Sequence, residues 1–258
     1  MKPIGDLDAG PIRAVLFDID ETLTTSGKLT AEAYGALEAL KKSGKRTVAV
    51  TGRPAGWCDH IARMWPVDAV IGENGAFYFA FTDHRLQKRY RETAEVRERN
   101  RRRLAEVGQA VLVAVPGCAL ASDQSYRETD LAIDYCEDVR PLPLEAAERI
   151  AQQMRSAGLH AKLSSIHVNG WFGDYDKLAT AHQLFRELFD VELHAARAEV
   201  AYIGDSPNDA PMFEFFPHSI GVANVQRFAG RLPAAPKYLA GASSGAGFAE
   251  IAAHLLQA

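Results

Sequence analysis

The chain has 258 residues, 47% of them apolar, and a formal net charge of −4 at pH 7. This length predicts one large domain or two of modest size, and the apolar content excludes a disordered chain. The slightly acidic balance excludes an overall basic field that would attract nucleic acid.

The sequence gives no sign of export or membrane insertion. The first residues, MKPIGDLDAGPIR, have no apolar core and so do not predict a secretory signal. The longest apolar stretch, AVLVAVPGCALA, is interrupted by Pro116 and Gly117 and is too short to span a bilayer. The three cysteines form no CxxC pair. Reduced thiols in a cytoplasmic protein are therefore expected.

Buried strands alternate with helical patterns in the first 80 residues or so and again towards the C-terminus. In chain order these are strand AVLFDID, helix TAEAYGALEALKKSGK, strand RTVAVTGR, helix GWCDHIARMW and strand DAVIGENGA. Downstream, EVAYIGDSPND and SIGVAN repeat the pattern of a strand followed by a turn. Strands that alternate with helices predict an α/β fold with a parallel sheet.

The middle of the chain has a different pattern. Residues 85–110 are highly charged and predict a helix, AVLVAV and DLAIDYC predict strands, PLEAAERIAQQMRSAG a helix, and HAKLSS and SIHVNGWF two further strands. We therefore expect an α+β unit at 85–171, inserted into a core formed by 1–84 and 172–258. Residues 85–106 hold nine Lys/Arg against four Asp/Glu. A solvated helix face explains this run most simply, and an anionic substrate or nucleic acid is the alternative.

Polar side chains follow three of the predicted core strands. Asp18 and Asp20 end the first, Thr51 ends the second, and Asp205 follows a later one with Asp209 four residues on. Ligands of open α/β sheets bind at the carboxyl ends of the strands, where such groups converge. Carboxylate oxygens suit Mg²⁺, which also favours waters and a substrate phosphate. The eight histidines show no HxxxH or HExxH spacing that would favour another metal.

Lys177 begins the helical pattern KLATAHQLFRELF, where its charge opposes the helix dipole. Local rules are often broken at functional sites. A surface lysine is one interpretation. The other is an ammonium that helps the helix N-terminus to neutralise a phosphate and a nucleophilic carboxylate.

These segments resemble, in the same order, the four motifs of the haloacid dehalogenase-like (HAD) phosphohydrolases. The gap of about 125 residues between the second and third motifs, together with the turn GENGA, resembles subfamily IIB, the Cof-like phosphatases with a type C2 cap. That subfamily includes sucrose-phosphate phosphatase, mannosyl-3-phosphoglycerate phosphatase and phosphomannomutase. The matching positions are Asp18, Asp20 and Thr22 in the first motif, Thr51 in the second, Lys177 in the third, and Gly204, Asp205, Asn208 and Asp209 in the fourth.

The resemblance implies a Rossmann-like core, an inserted cap and a Mg²⁺-dependent phosphatase that forms an aspartyl phosphate. Asp18 would be the nucleophile and Asp20 the general acid and base. The metal would be bound by Asp18, Asp205 and the backbone carbonyl of Asp20. Thr51 and Lys177 would bind the transferring oxygens. The phosphate site and its surroundings would also include Thr22, Gly52, Asn74, Asn208 and Asp209.

The cap would then exclude water and contact the leaving group. Strand alternation places Ser165, His167 and Asn169 on one face, where they could bind sugar hydroxyls, and Arg53 is a further candidate substrate contact. The expected substrate is a small phosphorylated metabolite, a sugar phosphate or sugar-acid phosphate, and the expected assembly is a monomer or homodimer.

Two positions depart from the family pattern, in which glycine usually follows both the second aspartate and the third-motif lysine. Here these positions hold Glu21 and Leu178. Glu21 adds bulk and charge to a tight turn.

Other functions fit the sequence less well. A phosphomannomutase-like transferase would use the same aspartyl phosphate. A receiver-type signalling domain shares the acidic pocket, but it is about half this length. No GxGxxG follows the first strand and no GxxxxGK[ST] occurs, which argues against a dinucleotide site and a phosphate loop. A non-enzymatic phosphate- or nucleic-acid-binding protein is the most distant alternative.

Overall fold

The computed structural model describes residues 1–164 and 166–257. It contains two sheets, flanked by helices. The strands are β1 Lys2–Pro3, β2 Ala14–Phe17, β3 Arg46–Val50, β4 Ala69–Gly72, β5 Phe77–Thr82, β6 Arg85–Tyr90, β7 Ala119–Leu120, β8 Asp130–Asp134, β9 His160–Leu163, β10 His167–Trp171, β11 Val200–Gly204, β12 His218–Gly221 and β13 Tyr238–Leu239. The helices are α1 Ala31–Lys42, α2 Ala55–Met64, α3 Ala94–Ala114, α4 Leu144–Ser156, α5 Lys177–Phe189, α6 Leu193–Ala196, α7 Ala210–Phe215 and α8 Ser244–Leu255.

The larger sheet has the strand order β1-β13-β12-β11-β2-β3-β4-β5-β6. Across the sheet in this order, neighbouring strands are parallel from β1 as far as β4. The last two pairs, β4 with β5 and β5 with β6, are antiparallel. Alternate residues of β2 enter two different cores, with Val15 and Phe17 in one and Ala14 and Leu16 in the other. A central strand buried on both faces is what the continuous apolar run predicted. The α/β expectation is confirmed.

The smaller sheet has the order β7-β8-β10-β9 and is antiparallel. Helices α3 and α4 cover one face of this sheet and share a third hydrophobic core with it. The other face carries polar residues that point towards the larger sheet. We call this inserted α+β unit the cap and the rest of the chain the core.

Two predictions about the charged middle segment are wrong. Residues Arg85–Tyr90 form strand β6 rather than the start of a helix, because Leu86 and Tyr90 pack on the core while the charged residues of the strand are exposed. Such a charged edge strand resists pairing with other chains. The stretch AVLVAV belongs mainly to helix α3, whose buried Leu104, Gly108 and Val111 follow a helical period. Because β6 belongs to the larger sheet, we propose that the cap begins after Tyr90 rather than at 85.

Within the residues described, no helix has the length and hydropathy needed to cross a bilayer.

Candidate active site

Three neighbouring strands of the core deliver polar residues to one edge of the sheet. Asp18 directly follows β2, Thr51 follows β3 and Asp205 follows β11. Because β11, β2 and β3 are adjacent and parallel, these three residues lie at the same carboxyl edge. All three are buried.

Lys177 reaches this edge from the first turn of α5. The helix is capped by Asp176, which accepts a hydrogen bond from the N–H of Ala179 at 2.7 Å. The Nζ of Lys177 donates to Oδ1 of Asp18 at 2.8 Å and to Oδ1 of Asp209 at 2.7 Å. Burial opposes the charge on Lys177, but these two carboxylates outweigh it and raise its pKa. Lys177 is therefore a buried cation, not a surface lysine.

Asp209 organises the loop that follows β11. Its Oδ2 accepts the backbone N–H groups of Asp205 at 3.0 Å and Ser206 at 3.2 Å. Its Oδ1 accepts the hydroxyl of buried Tyr202 at 2.5 Å as well as Lys177. Asp209 thus orients both the loop carrying Asp205 and the lysine beside Asp18.

The three carboxylates form a site that fits a hard cation. Oxygens of Asp18, Asp205 and Asp209 lie within 4.8 Å of one another. Oδ2 of Asp205 accepts from Asn224 and Arg227, both at 3.1 Å. Its Oδ1 is buried and has no partner among the described residues. An orphaned carboxylate oxygen in an oxygen-only cluster matches the ligand preference of Mg²⁺.

The pKa values in this cluster show the cost of burying several carboxylates close together. Burial raises the pKa of Asp18 to about 7 against the attraction of Lys177, and the charges of Asp209 and Asp20 add to the rise. Burial, then the charges of Asp18 and Asp209, raises the pKa of Asp205 well above its usual range. A bound dication would oppose both shifts by stabilising the ionised forms.

The loops after β3 and β4 leave space and donors beside Asp18. A side chain at Gly52 would place its Cβ 3.1 Å from Nδ2 of Asn74. That Nδ2 is buried without a partner within the described chain, while Oδ1 of Asn74 accepts from Asn208 at 3.4 Å. The buried hydroxyl of Thr22 also has no partner there. Thr51 Oγ1 accepts the N–H of Arg53 at 3.0 Å.

Arg53 joins the core to the cap. Its guanidinium donates to Asp20, with the shortest contact at 2.7 Å from Nη2. The same group donates to Glu137 of the cap at 2.6 Å and to Asp123 of the cap at 3.4 Å. In this structure the side chain of Asp20 is therefore held by Arg53 and lies outside the three-carboxylate cluster. Its predicted metal contact, which uses the backbone carbonyl, remains a proposal.

Two of the three cap residues predicted to contact substrate face this edge. His167 and Asn169 line a narrow pocket with Asp18 and Asp20, and its volume of about 10 Å³ fits about one water. Nε2 of His167 lies 2.8 Å from Oε2 of Glu137, and Nδ2 of Asn169 donates to Asp130 at 2.9 Å. Although burial opposes it, hydrogen bonds from His167 and Arg53 lower the pKa of Glu137 to about 2. The cap is closed over the site. Ser165 lies outside the described residues.

A buried carboxylate forms a second link between core and cap. Glu73, in the loop after β4, accepts the N–H groups of Ala55 at 2.9 Å, Glu128 at 2.9 Å, Thr129 at 2.6 Å and Asp130 at 3.2 Å, and the hydroxyl of Thr129. Burial, then the charge of Asp130, raises the pKa of Glu73 to about 7. Three of the donating residues belong to the cap, so Glu73 ties the start of β8 to the core.

Glu73→Gln is expected to flatten the pH dependence of stability. The pKa of Glu73 is higher in the folded protein than in the unfolded chain. The free energy of unfolding is therefore highest at a pH below the pKa of the unfolded chain, and it falls as the pH rises towards the pKa of the folded protein. Between pH 5 and pH 8 the wild type should therefore lose about 1–3 kcal/mol more than the variant. Urea unfolding at both pH values measures this, with exposed Glu106→Gln as the matched control. Parallel losses in wild type and Glu73→Gln would contradict the expectation.

The two departures from the family pattern are accommodated locally. Glu21 has a left-handed φ of 55°, which is where glycine is favoured. Its carboxylate is directed to the N–H of Gly27 at 3.3 Å and the hydroxyl of Ser244 at 3.2 Å. Leu178 is partly buried against the hydrophobic core that α5 covers, while Lys177 still reaches Asp18.

Several residues at the site were not identified from the sequence. Some lie within the segments GENGA, EVAYIGDSPND and SIGVAN, where the pattern marked neighbouring residues instead, and the others lie outside every motif. The missed residues are Glu73, Asp123, Glu137, Tyr202, Asn224, Arg227 and Arg127, whose Nη1 donates to the backbone carbonyl of Gly52 at 2.8 Å.

Comparison with known proteins agrees with this architecture. The family model of haloacid dehalogenase-like hydrolases matches residues 15–99. A Thermoplasma acidophilum protein of known structure superposes with a TM-score of 0.70 at 19% identity, covering 96% of this chain and 99% of that one. No curated protein matches the sequence.

Two further solved structures are described as phosphatases. A HAD subclass IIB sugar phosphatase has a TM-score of 0.60 at 14% identity, covering 88% of this chain and 93% of its own. A phosphatase of the haloalkanoate (HAD) superfamily from Bacteroides thetaiotaomicron has a TM-score of 0.61 at 20% identity, covering 95% of this chain and 94% of its own. At these identities the likeness establishes the fold. The chain is thus similar to haloacid dehalogenase-like hydrolases over residues 15–99, from β2 to the start of α3, and over nearly its whole length it shares the fold of these solved structures.

Proposed function

We propose that the protein is a Mg²⁺-dependent phosphomonoester hydrolase that acts through an aspartyl phosphate on a small phosphorylated metabolite, a sugar phosphate or sugar-acid phosphate. The observation that carries the proposal is the position of Asp18. It is buried at the end of β2, is hydrogen-bonded to Lys177 at 2.8 Å, and shares a cluster with Asp205, whose Oδ1 has no partner in the described chain.

In the first step a carboxylate oxygen of Asp18 attacks phosphorus, and the bond from phosphorus to the leaving oxygen breaks. Asp20 gives its proton to that oxygen, which requires the side chain to leave its ion pair with Arg53. In the second step Asp20 takes a proton from water as the water oxygen attacks phosphorus. The bond between phosphorus and Asp18 breaks, which releases inorganic phosphate and restores the carboxylate.

The surrounding groups of the chain stabilise negative charge on the transferring phosphoryl group. Lys177 supplies a fixed ammonium, and Thr51 and Asn74 supply polar groups next to Gly52, where the missing side chain leaves room. Asp18 and Asp205 would hold Mg²⁺. When bound, the ion neutralises charge that nucleophile and phosphate share.

Mg²⁺ is expected both to activate and to stabilise the protein. Phosphate release from p-nitrophenyl phosphate and a panel of sugar phosphates should require Mg²⁺ and stop in EDTA. Mg²⁺ should also raise the melting temperature, since binding to the folded state alone adds stability. Asp205→Asn removes one ligand charge and should lose most of that thermal shift, whereas exposed Asp174→Asn should keep it.

Outcomes of this experiment separate the alternatives. A folded wild type that shows the Mg²⁺ shift but releases no phosphate from any compound would contradict a general hydrolase. Transfer between sugar hydroxyls without release would indicate the mutase alternative. An equal thermal shift in wild type and Asp205→Asn would contradict the proposed metal ligand.

A further inference from the structure

A second, larger cleft opens between core and cap next to the candidate active site. Its volume is about 930 Å³, within the range of small-molecule sites. The cap wall is formed by α4 and β9, and the core wall by Pro207, Phe228 and the residues around Arg231. The narrow pocket at Asp18 holds about one water. The larger cleft therefore offers the space for a leaving group.

The cleft lies next to the active-site pocket. Leu163 and Pro207 line the cleft, and the next residues in the chain, Ser164 and Asn208, line the pocket at Asp18. Strands β9 and β10 also connect the two, because Lys162 pairs with Asn169 across the antiparallel ladder. Directly paired residues share one face of a sheet, with their Cβ atoms about 5 Å apart. Lys162 therefore stands one strand beyond Asn169 on the face that looks towards the core.

The cleft is basic. Lys162, Arg155 and Arg231 line it, whereas its one carboxylate, Glu148, lies 4.0 Å from Arg231. Lys162 is half-buried and forms no ion pair with any residue that the structure describes. An ammonium that has no counter-ion in a concave site can pair directly with a bound anion.

A further cation borders the same opening. The guanidinium of Arg227 lies 5.0 Å from the ring centroid of Phe228, which lines the cleft, and contacts Asp205 at 3.1 Å. Positive charge thus extends from the candidate metal ligand to Lys162. Converging cations in a concave, partly desolvated site raise the local concentration of anionic ligands.

We propose that this cleft binds a second anionic group, a phosphate or carboxylate, carried by the leaving group of the substrate. The inference rests on the proposed function and narrows its substrate class to doubly anionic phosphomonoesters. With Lys162 one strand spacing beyond the pocket wall, a leaving group the size of a triose or hexose spans the two sites. A neutral leaving group would leave Lys162 without a counter-ion.

Matched substrate pairs test the proposal. Glycerol 3-phosphate and 3-phosphoglycerate differ by a carboxylate, and fructose 6-phosphate and fructose 1,6-bisphosphate differ by a phosphate. The wild type should favour the doubly anionic member of at least one pair, and which pair distinguishes carboxylate from phosphate. Lys162→Met should lower that ratio of kcat/KM about tenfold, which corresponds to about 1.4 kcal/mol. Lys162→Arg should restore most of it.

The matched control is Lys42→Met, an exposed lysine of α1 whose partner is Glu38. It removes the same charge away from the cleft and should leave the ratio at the wild-type value. Equal kcat/KM within both pairs for the wild type, or an unchanged ratio in Lys162→Met, would overturn the proposal.

Binding separates failure of the cleft from failure of the hydrolase. The Asp18→Asn protein is titrated calorimetrically with 3-phosphoglycerate and glycerol 3-phosphate, and with the two fructose phosphates. Tighter binding of a doubly anionic member, lost when Lys162→Met is added, would support the cleft even if the wild type hydrolyses nothing. Equal affinities within both pairs would overturn it whatever the turnover.

Discussion

Asp18→Asn is expected to abolish phosphate release while leaving the protein folded and more stable in EDTA at pH 8. The amide keeps the size of the side chain but cannot act as the anionic nucleophile. Turnover should fall at least about 10³-fold, the scale seen when a nucleophile is removed. The change also removes a buried charge from a cluster in which Asp205 and Asp209 remain.

The stability gain follows from the raised pKa of Asp18. An acid whose folded pKa lies near 7 instead of 3.8 lowers the free energy of unfolding as pH rises from about 4 to 7. Asparagine lacks this titration, so its advantage should grow across that window and reach about 2–4 kcal/mol at pH 8. At pH 4 the two proteins should differ little, since Asp18 is then protonated in the fold.

Two measurements check this expectation. Phosphate release is followed with p-nitrophenyl phosphate and Mg²⁺, and unfolding by urea is followed in EDTA at pH 4 and pH 8. Asp6→Asn, an exposed aspartate outside the site, is the control and should behave as wild type in both. Turnover by Asp18→Asn within tenfold of wild type would assign the nucleophile to another residue. A variant less stable than wild type at pH 8 would contradict the electrostatic argument.

The parts of the site that sequence reasoning found depend on local pattern. The strands AVLF, TVAV and VAYIG alternate with helices, which predicts that they are parallel. The residues that follow parallel strands lie at the same carboxyl edge of the sheet, so this alternation was enough to place them together. The charge of Lys177 opposes the helix dipole, which marks this residue in the sequence, and its two carboxylate partners explain why the charge is tolerated. Such signals lie within a few residues of the group that they identify.

The missed features depend on contacts between distant segments. Arg53 meets Glu137 across 84 positions of the chain, and Glu73 meets Thr129 across 56. Nothing near either residue indicates the partner, because both pairs exist only once the cap has closed on the core. The prediction of a helix over the charged stretch 85–110 was wrong in part for a related reason. Its first six residues are a strand because β5 lies beside them, a tertiary cause that overrides local helical preference.

Lys177→Met is expected to lower both activity and stability. The ammonium lies between Asp18 at 2.8 Å and Asp209 at 2.7 Å, and all three side chains are nearly inaccessible. Methionine has a similar reach and no charge, so the two buried carboxylates would lose the cation that they share. Breaking a buried pair in this way costs about 3–5 kcal/mol. Loss of the charge that faces the transferring phosphoryl group should lower kcat about 10²–10³-fold.

A second substitution separates the two effects. Adding Asp18→Asn to Lys177→Met removes one of the unpaired charges and should return a large part of the lost stability without returning activity. Lowering the pH should also narrow the gap between Lys177→Met and wild type, because protonation neutralises the carboxylates that lost their partner. Urea unfolding at pH 5 and pH 8 and phosphate release in Mg²⁺ measure these effects, and Lys42→Met serves as the exposed control. If the double variant is no more stable than Lys177→Met, the loss comes from packing and not from charge. The role of Lys177 as the counter-ion of Asp18 would then be contradicted.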